Sequence, residues 1–149
     1  MNRDRLRKQL EIDEGVVYKI YEDHLGSPTF GVGHLVRRLD LEHGWAVGTP
    51  VSEERVLKAF EIDLNNAIRE CSYLYDMWET FPEEVQEILV NMLFNLGRPR
   101  LSKFKNMKKA LDSRCWALAA AEGRDSLWYR QVSNRAERLM TRLENVECN

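Results

Sequence analysis

The chain has 149 residues, enough for one domain or for two small lobes sharing a core helix. A hydrophobic share of 44% can fill a core, and no apolar run reaches membrane-spanning length, so no membrane span is expected. The net charge is −2, and three widely spaced cysteines (Cys71, Cys115, Cys148) with no C-x-x-C pair point to free thiols made in a reducing compartment rather than a disulfide framework.

The opening "MNRDRLRKQLEIDEG" has no apolar h-region, so no secretory leader is expected there. "RDRLRKQLEIDEG" reads as a short helix with Leu6 and Leu10 on one face and Gly15 as its stop. "VVYKIYED" alternates and is rich in β-formers, which predicts a strand. "HLGSP" supplies turn residues, and "TFGVGHLV" is predicted as one returning strand in which Gly31 and Gly33 allow close backbone approach. After a loop holding Gly44, Gly48 and Pro50, Ser52 caps a helix whose Val56, Phe60, Leu64 and Ile68 form a stripe. "PEEVQEILVNMLFNLG" opens on Pro82, closes on Gly97 and carries a wide apolar face, as a central core helix does. The run "RPRLSKFKNMKK" at 98–109 then has six basic side chains and no acid. Such a face can meet nucleic acid or an anionic polymer, or be a solvated helix end; the acidic remainder of the chain argues against nucleic acid.

Several chemistries are excluded by spacing. His24, His34 and His43 lack H-E-x-x-H spacing and thiol neighbours, so a zinc site is not expected. No G-x-S-x-G elbow or Walker loop is present, and "GVGHLV" fails the dinucleotide fingerprint. Carboxylates remain: Glu14 at a helix end, Asp23 at a strand tip, with Thr29 across the turn. Two carboxyls flanking a gap, one protonated and one ionised, are what glycosidic hydrolysis requires. On spacing alone, Asp23 is as readily a turn-capping acid and Thr29 a β-branched strand residue.

The run Glu14-Gly15 … Ile20-Tyr21-Glu22-Asp23 … Thr29-Phe30-Gly31-Val32-Gly33-His34-Leu35 resembles the active-site segment of the T-even bacteriophage lysozyme family, glycoside hydrolase family 24. "NMLFNLG" at 91–97 is similar to that family's central helix, and "WYRQVSNRAERL" at 128–139 to its W-Y-x-Q-x-x-N-R-A block. The resemblance implies an α+β, lysozyme-like single domain over 1–149. Its small antiparallel-strand N-lobe (13–51) is joined by a long helix (52–71) to an all-helical C-lobe (72–149), on which residues 1–12 pack.

The resemblance also implies roles. Glu14 matches the catalytic acid, Asp23 the second carboxylate and Thr29 the active-site threonine. Arg135 matches an arginine that holds the catalytic glutamate, and His34 a histidine paired with a helix acid, whose place Asp63 takes. Leu35, Phe94 and Asn106 fall where the family lines its saccharide site. Glu14 must keep its proton near neutral pH, which partial burial favours; Arg135 pulls the other way and is read as an orienting donor. The implied activity is that of a muramidase cutting β-1,4 bonds between N-acetylmuramic acid and N-acetylglucosamine in peptidoglycan, by inversion, with no cofactor or metal. A monomeric endolysin made in the host cytoplasm is implied, with a pore-forming holin opening its way to the periplasmic wall. A virion-borne enzyme or a non-catalytic wall-binding module of the same fold is the alternative; no nucleic acid and no membrane span is expected.

Overall fold

Leu6 and Leu10, one turn apart, are the buried side chains of α1 (Arg3–Glu14). The helix stops where Gly15 takes φ 78 and its N–H bonds the Glu11 carbonyl at 2.9 Å. The computed structural model describes residues 1–148. Three strands follow α1, namely β1 (Val17–Glu22), β2 (Pro28–Gly31) and β3 (His34–Leu35), as an antiparallel sheet in the order β1-β2-β3.

The expectation of one strand over 29–36 is corrected. The segment folds back on itself as a hairpin that pairs Phe30 with His34. The cause is local: Gly31 and Gly33 sit at φ 66 and 64, a left-handed region that a β-carbon resists, and two such residues so close together turn the chain. The loop before α2 is also more ordered than its composition suggests. Ile20 exchanges backbone bonds with it, accepting from Gly48 (2.8 Å) and donating to Thr49 (2.9 Å), while Val51 donates to Tyr18 at 2.9 Å. The free edge of β1 is thereby covered, which removes a template for unwanted strand pairing.

Register gives the sheet two sides. Thr29 stands opposite Tyr21 on β1 and Leu35 on β3, so these three side chains form one row across the strands. Phe30 and His34, next in register, point to the other side, their rings 4.8 Å apart. Phe30 joins Ile20, Val51, Val56 and Ala59 in a buried apolar cluster. Val56 and Ala59 come from α2 (Glu53–Leu74), whose start is capped by Ser52 Oγ accepting from the Arg55 N–H at 3.1 Å. The helix runs past its expected end at Cys71.

The fold is α+β, with seven helices and this sheet among the described residues. Backbone contacts divide it into two compact units: Asp4–Asn66, and Met1–Arg3 with the described residues from Ala67 onward. The boundary falls inside α2. The second unit contains α3 (Glu83–Leu101), α4 (Lys105–Asp112), α5 (Trp116–Arg124), α6 (Leu127–Gln131) and α7 (Ser133–Glu144). α3 breaks at Gly97 (φ 77, ψ 160), the expected end, and then adds a further turn to Leu101. α7 packs on α3, α5 and α6, burying Ala136, Leu139, Met140 and Leu143. Phe81 meets the edge of Trp116 at 5.7 Å and lies near Tyr75 and Trp78, a cluster in which each ring contributes about 2 kcal/mol by burial. Among the described residues no helix is long and apolar enough to cross a membrane.

Candidate active site

Glu14 is the last residue of α1 and is half-buried. The left-handed turn at Gly33 brings bare backbone to this side chain. Glu14 Cβ, Cδ and Oε2 each lie 3.9 Å from the point a Gly33 β-carbon would occupy.

Asp23 occupies the turn between β1 and β2. Its Oδ1 accepts from the backbone N–H groups of Ser27 (2.8 Å) and Leu25 (2.9 Å). The turn is closed by the Asp23 N–H on the Ser27 carbonyl at 3.0 Å. The bond from Ser27 foremost, with those from Leu25 and the charge of His24, outweighs desolvation and holds the carboxyl below its ordinary 3.8. Asp23 is thus an anion at neutral pH. Both turn donors fall on Oδ1, so Oδ2 stands outside the turn network. The turn-capping role read from the sequence is real, and it fixes the carboxylate rather than consuming it.

Tyr21 lies on β1, two residues before Asp23. Its phenol is raised above its ordinary 10.0 by burial first, then by the negative charges of Glu14 and Asp23. One hydroxyl therefore feels both carboxyls. Its cross-strand partner Thr29 is buried, and the Thr29 hydroxyl donates to the Ser27 carbonyl at 3.0 Å. A carbonyl can only accept, so the hydroxyl proton is committed and Thr29 Oγ1 remains an acceptor. Leu35, next in the row, is 48% exposed and continues the face away from the carboxylates. Sequence reasoning missed Tyr21; the signal available was its register opposite Thr29, set by the short turn.

The other side of the sheet holds a charged network. His34 is buried, with Nδ1 2.7 Å from Asp63 Oδ2 and Nε2 2.8 Å from Asp40 Oδ2. Burial works against a charged ring, but the hydrogen bonds and charges of Asp63 and Asp40 outweigh it and raise His34 above 6.5. Arg55 extends the chain of charges, bonding Glu42 with both Nε and Nη2 at 2.9 Å and standing 5.5 Å over the Phe30 ring. Asp40, Glu42 and Arg55 were not singled out from the sequence. Asp63 Oδ1 is buried with no hydrogen-bond partner.

Three expected residues belong to the helical unit. Arg135, on α7, donates from Nε to Asn91 Oδ1 (2.8 Å) and from Nη2 to the Asn91 carbonyl (3.2 Å). Phe94 is half-buried on α3, and Asn106 is exposed on α4, in a recess shared with Lys103, Met107 and Glu122. Among the described residues no group of His, Cys, Asp and Glu could hold a metal ion.

Comparison with known proteins extends this picture. Over 152 residues the chain is 32% identical to the pre-baseplate central spike protein Gp5 of Enterobacteria phage T4, covering 90% of this chain and 26% of that protein. It therefore spans about a quarter of that relative's length. It is 29% identical over 158 residues to probable T4-type lysozyme 2 of Dictyostelium discoideum, covering 93% of each. Probable T4-type lysozyme 1 of the same organism is 28% identical over 163 residues, covering 97% of this chain and 96% of that one. The family model described as phage lysozyme matches residues 11–145, from the last turn of α1 to the end of α7, and the chain belongs to that family.

Proposed function

We propose that this chain is a muramidase that hydrolyses the β-1,4 bond between N-acetylmuramic acid and N-acetylglucosamine in bacterial peptidoglycan. The observation that carries the reading is the pair of carboxyls on the strand unit of a phage lysozyme family chain, Glu14 at the end of α1 against Gly33 and Asp23 held by two backbone N–H donors.

In the proposed reaction Glu14 delivers its proton to the glycosidic oxygen as the bond from that oxygen to the anomeric carbon breaks. A water molecule attacks from the other face. It gives one hydrogen bond to Thr29 Oγ1, the acceptor left by the Ser27 bond, and one to Asp23 Oδ2. Its remaining lone pair forms the new carbon–oxygen bond, and Asp23 takes the proton. A water between the carboxyls calls for a separation of about 6.5–9.5 Å and gives inversion. Leu35, on the strand unit, is proposed as a saccharide contact.

The biological reading is an endolysin that reaches the wall through a holin-formed pore. The similarity to a phage central spike protein favours a second reading, a virion-borne enzyme. Co-sedimentation of the protein with purified phage particles separates these two. The activity itself is tested on purified sacculi by measuring pelleting and release of reducing ends together. Release supports the muramidase; pelleting without release favours a wall-binding module.

A further inference from the structure

Two of the three thiols lie against adjacent backbone carbonyls at the end of α4, and the Cys115 thiol donates to the Ser113 carbonyl at 3.6 Å. Cys148 Sγ lies 3.6 Å from the carbonyl oxygen of Arg114, and Cys115 is the residue that follows Arg114. Both thiols are exposed, whereas Cys71 is buried.

The frames that carry them are well held. Arg114 takes the left-handed position (φ 57) that ends α4, where the Cys115 N–H reaches back to the Ala110 carbonyl at 2.9 Å. Its guanidinium donates to the Thr80 carbonyl at 3.0 Å and stands 5.3 Å over the Trp116 ring. On the other side, α7 packs along α5, and Arg124 of α5 grips Glu137 (3.0 Å) and Glu144 (2.7 Å), the latter being the last residue of α7. Between α7 and Cys148 lie only Asn145, Val146 and Glu147. By covalent geometry the Arg114 oxygen is roughly 2.8 Å from the Cys115 Cα, and a Cys Sγ roughly 2.8 Å from its own Cα. The two Cα atoms are therefore at most roughly 9 Å apart. A disulfide takes about 4.4–6.8 Å, so a small shift of the segment beyond α7 joins the sulfurs.

We propose that Cys115 and Cys148 form a modification site, a thiol pair that closes to a disulfide in an oxidising compartment and opens in a reducing one. The oxidant is an organic disulfide of the glutathione class. The Cys148 thiolate attacks one sulfur of oxidised glutathione, forming a mixed disulfide and releasing one glutathione thiolate. The Cys115 thiolate then attacks the Cys148 sulfur, forming the Cys115–Cys148 bond and expelling the second. Two protein thiols are oxidised, one glutathione disulfide is reduced to two thiols, and the two protons pass to those thiolates. The loop so closed takes in α5, α6 and α7, and cross-linking it restricts the unfolded chain. Cys71 takes no part, because burial foremost pushes its thiol up to about 12. The inference rests on the placement of the thiols and is independent of the sugar chemistry.

The test uses the full chain, dilute, in reduced or oxidised glutathione. Intact mass after oxidation is expected to show the loss of two hydrogens, with one Cys115–Cys148 linked peptide on non-reducing digestion and Cys71 alkylated only after unfolding. The melting temperature is expected to rise by roughly 5 °C on oxidation, and the rise to vanish in both Cys115→Ser and Cys148→Ser. Two glutathione adducts, a disulfide-linked dimer, or free thiols persisting in oxidised glutathione would each overturn the proposal.

Discussion

The carboxyl of Glu14 rests against the backbone of Gly33, with Oε2 3.9 Å from the position of an absent β-carbon. A methyl there makes ordinary contact with the carboxyl and displaces water from it. It also meets the strain of φ +64, about 1–2 kcal/mol. Gly26 supplies a control, because it has the same left-handed backbone (φ +79) and nothing near its β-carbon position. Gly33→Ala and Gly26→Ala are expected to lose similar stability in thermal melts, while only Gly33→Ala lowers activity on sacculi. Equal activities for the two variants would mean that the Glu14–Gly33 contact has no bearing on activity.

His34 and Asp40 give stability a defined pH window. The folded-state pKa of His34 is raised above 6.5, so its contribution is complete below that value and is lost as pH rises through the folded value. For Asp40, burial foremost works upward, but the Arg37 N–H and the bonds and charges of His34 and Arg55 bring it below 3.8. Its contribution is present above that value and is lost as pH falls through the folded one. Both are complete between about pH 4 and 6.5. Urea unfolding of His34→Asn should show a penalty of about 2 kcal/mol at pH 5.5, shrinking by pH 9. A penalty that is the same at both pH values contradicts the charged pairing.

Thr29 separates an acceptor role from simple packing. Thr29→Val keeps the shape but removes the oxygen, and also frees the Ser27 carbonyl of its donor. Thr29→Ser keeps both. Activity on sacculi is expected to fall about a hundredfold in Thr29→Val and to stay within about tenfold of wild type in Thr29→Ser, a ratio matching the loss of one transition-state hydrogen bond. Losses of equal size in both variants would instead point to β-branched packing as the contribution of Thr29.

Much of the local structure was legible because its causes are local. Gly15 ends α1 and Ser52 caps α2 through bonds within a single turn of chain. The apolar stripe of α2 shows its period directly, and Val56, Phe60 and Leu64 are buried as that period requires. The hairpin at 31–33 was missed because a glycine in a strand can mean close approach or reversal, and only φ distinguishes them. Tyr21 was missed because its pairing with Thr29 is set by the register of the sheet rather than by spacing in the chain. The same holds for Asp40, Glu42 and Arg55, whose pairing joins a loop to a helix and leaves no periodic trace.

Glu14→Gln puts the central claim to the most direct test. The substitution keeps the shape of the side chain and removes the transferable proton, and clearing of permeabilised Gram-negative cells can be followed beside the melting temperature. The expected result is a loss of clearing of at least about a hundredfold with the fold retained, since general acid catalysis is worth about that much or more. A folded Glu14→Gln protein that clears cells at close to the wild-type rate would contradict Glu14 as the proton donor.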